Sequence, residues 1–133
     1  MANVVDSQVI VNNNRHYVIR LIGELDTTNE SAVVKVDCST LTDAKGNTAT
    51  YTAVDRIDYD VAGFASVELA WDATADDKIV TLVPGQGSLD WTKEGGLVDP
   101  KSTGTTGDIV LTTTGTPGAT TNYNITLWVR PKA

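Results

Sequence analysis

The chain has 133 residues, enough for one compact domain with a real core and too few for two. Hydrophobic residues make up 41% and charged residues 20%, a globular balance rather than a disordered one. The formal net charge is −7 and the ten basic residues are scattered singly. That argues against a nucleic-acid backbone as a direct partner, because displacing its counterions takes clustered Lys and Arg.

The residue counts lean toward strands. There are 20 threonines against one His, one Cys, one Met and one Phe, and Thr is β-branched and favours strands and turns over helix interiors. Cys38 stands alone, so neither an intrachain disulfide nor a cysteine-based metal cluster is expected. It ends an apolar alternation and reads as a small buried hydrophobe. The first residues, MANVVDSQVIVNNNRHY, lack a cationic head followed by an apolar stretch, and no run approaches membrane-spanning length. The expectation is a protein made in the cytoplasm, not exported by a signal peptide and without a membrane partner.

Taken in chain order, the predicted elements are almost all strands. Residues 4–11 form a short candidate. In RHYVIRLIG, Tyr17, Ile19 and Leu21 share a face opposite His16, Val18, Arg20 and Ile22. In SAVVKVDC, Ala32, Val34, Val36 and Cys38 form the expected core set. Residues 51–61 are a further candidate, and in FASVELAW the core set is Val67, Leu69 and Trp71. Residues 78–83 and 107–113 follow. In NYNITLWVR, Tyr123, Ile125, Leu127 and Val129 face inward, opposite Asn122, Asn124, Thr126, Trp128 and Arg130.

Turn chemistry separates these runs: NNN, DAKGN, VAGF, DATADD, VPGQG and GTPGATTN. The best helical stretch is residues 88–94, with Ser88 as its cap and Gly95 or Gly96 as its stop. Regularly spaced short strands with turns between them predict a single all-β domain, residues 1–133. The expected fold is an antiparallel β-sandwich, jelly-roll-like, of about eight strands with at most one short helix. Residues 1–6 are read as a possible extended N-terminal arm.

No stretch carries a catalytic or cofactor signature. PGQGSLDW lacks the Gly-Lys-Ser/Thr of a phosphate loop and the long helix of a dinucleotide loop. Asp55, Asp58 and Asp60, then Asp72, Asp76 and Asp77, lack the spacing of a calcium loop and read as a solvated acidic rim. His16, the only histidine, lies at a strand edge beside Arg15, with no nucleophile placed against it. No catalytic residue, metal or cofactor is therefore expected, and the chain reads as non-enzymatic. Trp71 belongs to the core. Trp128 falls out of phase with its strand's apolar set and stands beside Arg130, a pairing of residue types enriched at binding hot spots.

The string PGQGSLDWTKEGGLVDPKSTGTTGDIVLTT, followed by YNITLWVR, resembles the small virion proteins of tailed bacteriophages, the β-sandwich proteins that decorate or cement the head. The resemblance covers roughly residues 81–130 and rests on turn and strand signatures. It implies a protein on the outer surface of the head, partnered by the major capsid protein and by copies of itself, a trimer being favoured. The acidic balance suits an outer surface, away from packaged DNA. Residues 90–107 then read as a shaped, non-catalytic excursion anchored by Trp91. The expected contact residues are Ala2, Asn3, Val4 and Val5, lying along a neighbouring subunit, with Trp91, Lys93, Lys101, Trp128 and Arg130. Two other readings stay open: a tail, neck or baseplate protein, and a carbohydrate-binding module marked by a groove lined with aromatic residues or paired carboxylates.

Overall fold

Alternating apolar residues bury one face of each strand, and two such faces packed together make the fold. The computed structural model describes residues 3–25, 28–64, 66–115 and 121–133. These form ten strands: β1 (Val4–Asn12), β2 (Tyr17–Glu24), β3 (Val33–Val36), β4 (Tyr51–Ala62), β5 (Ser66–Trp71), β6 (Asp77–Leu82), β7 (Gly85–Asp90), β8 (Leu97–Val98), β9 (Ile109–Thr114) and β10 (Asn122–Lys132). A six-stranded sheet runs β1-β2-β10-β4-β7, with β8 also on β4, and a four-stranded sheet runs β3-β9-β5-β6. All pairings are antiparallel. The protein is an all-β sandwich, as its composition implies.

The core lies between the sheets. Ile19, Leu21, Ile57, Ile125 and Leu127 from the larger sheet meet Val36, Val67, Leu69, Ile109 and Leu111 from the smaller. Each such fully buried side chain stabilises the fold by roughly 1.5–3 kcal/mol. Trp71 is buried as its alternation requires, and its indole N–H donates to the buried Thr52 hydroxyl at 3.1 Å.

Three sequence expectations need correction. Residues 88–94 are not a helix: β7 continues to Asp90, and only the single 3-10 turn Thr92–Glu94 follows. β7 escapes a periodicity reading because Gly85 and Gly87 supply no side chains. At Gly87 a Cβ would stand 2.7 Å from the Tyr59 hydroxyl, so a side chain there would displace that ring. The second correction concerns β3. Ala32 and Val34 are exposed, and a bulge at Lys35 between Val34 and Val36 breaks the alternation. Ala32 also takes a positive φ of 47°. Only Val36 and Cys38 of that set reach the core.

The third correction is the N-terminal arm. Val4, Val5 and Asp6 pair with Glu24, Gly23 and Ile22 of their own sheet. The Asn3 amide donates to the carbonyl and hydroxyl of Thr28 at 3.1 and 3.0 Å. Strand-pairing groups are satisfied more cheaply by an adjacent β2 than by a neighbour that must first be bound.

Candidate interaction surfaces

Three surfaces hold the residues that the sequence singles out. The first is β1. All nine of its residues are exposed, and Val4, Val5, Val9, Ile10 and Val11 range from 37% to 56%. The register explains why. Val5, Ser7 and Val9 pair with Gly23, Leu21 and Ile19, so they extend the core-facing side of the sheet. The smaller sheet ends at β3 and does not cover them. Val33, opposite the buried Leu111, is likewise 38% exposed. An open seam results, holding a cleft of about 210 Å³ between Val5, Asp6 and Ser7 on one side and Val34 and Lys35 on the other.

Beneath the seam lies a buried polar cluster. The Lys35 ammonium sits 2.7 Å from Glu30 Oε2, with side chains only 7% and 8% exposed. The Tyr123 hydroxyl donates to Glu30 Oε1. Burial, and then that carboxylate, holds the Tyr123 hydroxyl far above its ordinary range.

The second surface is the outer face of the six-stranded sheet, where cross-strand registers line side chains up in rows. Val18, Trp128, Arg56 and Asp90 form one row. Arg20, Thr126, Asp58 and Ser88 form the next, and Ile22, Asn124, Asp60 and Gln86 a third. Trp128 does face outward and is half-buried, with the Arg56 guanidinium 5.1 Å from its ring centre. Arg56 also holds Asp58, by bonds of 2.9 and 3.2 Å to its two oxygens.

Arg130 shares that face but is spent within the chain. A bulge in β4 leaves Asp55 without a partner on β10 and turns its carboxylate toward Arg130, whose Nε lies 2.9 Å from both oxygens. Arg130 also donates to the Gly95 carbonyl, tying the following turn to the sheet.

The third surface is the excursion after β7. Trp91 packs against the core, and its backbone N–H donates to the Asp55 carbonyl at 2.8 Å. Asp90 is held below the usual carboxylate range by the Thr92 hydroxyl and backbone N–H. Lys93 is exposed on the 3-10 turn, whereas Lys101 lies 4.4 Å over the Tyr51 ring. Residues 99–108 are laced down by short polar side chains. The buried Asp99 accepts from the Lys101 N–H at 2.8 Å, Ser102 donates to Asp77 at 2.8 Å, and Thr106 donates to Asp72 at 2.9 Å. The segment is a fitted loop, and the threonine-rich composition serves it as much as it serves the strands.

The expected contact residues do not converge. Val4 and Val5 lie on one edge of the larger sheet, Trp128 and Arg130 on its third strand, and Trp91 beyond the opposite edge; Ala2 lies outside the described residues. The sequence reading missed Val9, Ile10 and Val11, whose run of three aliphatic residues breaks the alternation of a half-buried strand. It also missed Arg56 and Asp58, which only the strand register brings beside Trp128. No family model, curated protein or solved structure matches the chain.

Proposed function

We propose that the protein is a non-enzymatic structural protein of a tailed-bacteriophage virion, which binds the outer capsid surface and cements neighbouring capsid subunits. The observation that carries this reading is the uncovered β1 margin. Stand-alone proteins blunt a free sheet edge with charges, prolines or cover. Here a nine-residue edge strand holds one charge, Asp6, and five exposed aliphatic side chains. An extended segment of a neighbour laid along it continues the hydrogen-bond ladder and covers Val5 and Val9.

A protein that binds the assembled lattice and not loose subunits stabilises the shell by mass action. Modest contacts become strong when bound copies also associate around a symmetry axis, a trimer being favoured. The net charge of −7 suits the outside of a DNA-filled head.

The test is to heat particles assembled with the protein, without it, and with a Val5→Lys, Val9→Lys variant. Both positions are exposed, so the isolated variant should melt within about 3 °C of the parent. Its particles should fail at the temperature of particles lacking the protein altogether. Equal stability of all three particles refutes the cement role and leaves the tail, neck or baseplate reading.

A further inference from the structure

The outer face of the larger sheet carries a groove of about 370 Å³ between β10, β4 and β7, a volume within the range of small-ligand sites. Of its polar groups Asp58 alone is firmly held, and together they supply more acceptors than donors. Asp58 is fixed by Arg56 and by the Ser88 hydroxyl at 2.6 Å, and each carboxylate oxygen keeps further acceptor capacity. Asp60 has one long bond, 3.4 Å from the Gln86 amide. Among the described residues the side chains of Asn124 and Thr126 have no hydrogen-bond partner, although both line the groove. Within a row the residues stand about 4.8 Å apart from strand to strand, and neighbouring rows lie about 6.8 Å apart along the strands.

Charge narrows the ligand class. Three carboxylates on these rows, Asp58, Asp60 and Asp90, outnumber two cations and repel a polyanion: the guanidinium of Arg56 is already engaged by Asp58 and Trp128, and Arg20 stands beside Thr126. Among the described residues no three His, Cys, Asp or Glu side chains converge to hold a metal ion. What complements such a face is a neutral molecule rich in hydroxyl donors, with apolar C–H faces of its own. Ile22, half-buried beside Asn124, and the Trp128–Arg56 stack supply apolar support at the groove's margins.

We propose that this groove binds a neutral oligohexose, with Asp58, Asp60, Asn124, Thr126 and Gln86 bonding its hydroxyls. The site is independent of the β1 margin and of the cement role.

The experiment is an NMR titration of the full chain with maltopentaose, cellopentaose and mannopentaose, and with a heparin fragment as the anionic arm. At millimolar concentration at least one neutral sugar should shift the side-chain amide signals of Asn124 and Gln86. Asn124→Ala and Gln86→Ala, both at solvent-facing positions, should each weaken binding by about tenfold. The Val5→Lys, Val9→Lys variant should bind the sugar unchanged, which separates this site from the cement role. The proposal is overturned if no neutral sugar moves those signals, if heparin alone moves them, or if the shifts persist undiminished in both alanine variants.

Discussion

Lys35 and Tyr123 occupy the two oxygens of one buried carboxylate, that of Glu30. A buried pair adds little stability when intact, but breaking it leaves a charge without compensation. Lys35→Met keeps the aliphatic stem and removes the ammonium. It should cost about 3 kcal/mol, read as a lower urea midpoint at unchanged slope. A loss under about 0.5 kcal/mol, the size of an ordinary surface change, would show that the cluster is hydrated. Cys38 offers a second residue-scale test. Burial, aided by Asp108, Asp37 and Asp99, pushes its thiol up to about 11 from an ordinary 9.0. Because the folded value is raised, the stabilising contribution is complete below pH 9.0 and is lost as pH rises through about 11. Urea unfolding on either side of that window should therefore show an alkaline loss of stability. Cys38→Ala should reduce it without abolishing it, since burial also raises the Tyr17 hydroxyl. An identical alkaline loss in Cys38→Ala would overturn this assignment.

Strand β1 pairs with β2 from Val4 to Asn12, save for a bulge at Ile10, yet buries none of its residues. Removing residues 2–5 should leave the melting temperature of the isolated protein within about 3 °C, because Val4 and Val5 are 56% and 44% exposed. A collapse in that measurement would mean that the segment supports its own core. The same strand shows where sequence reading works and where it stops. β10 is legible because strict alternation and burial coincide there, and β2 and β5 because their alternating apolar sets are buried even though a neighbour of each set, Val18 or Ala70, is buried too. β1 was legible as a strand but not as an uncovered one, because burial depends on how far the facing sheet extends. β7 and β8 were missed, since glycines in one and a length of two residues in the other leave no pattern to count. Bulges at Lys35 and Asp55 are also silent in the sequence. Each redirects a charged side chain, which is how Arg130, an expected contact residue, also comes to bond Asp55.

On the scale of the whole molecule, β10 joins the two halves of the larger sheet, pairing with β2 on one side and β4 on the other. Its partners come from residues 17–24 and 51–62, so every one of those pairings spans a long stretch of chain. The consequence appears during synthesis. While a ribosome is making the chain, β2 and β4 emerge early and must wait, each with a bare edge, until residue 132 has cleared the exit tunnel. A nascent chain stalled before residue 122 should stay open to protease and to chaperone capture. One stalled on a linker appended after residue 133, long enough for β10 to emerge, should become resistant in a single step. Gradual acquisition of resistance with length would mean that the early strands settle without β10. Timing thus follows from strand order: β10, made after both strands it joins, is the one that lets the larger sheet close.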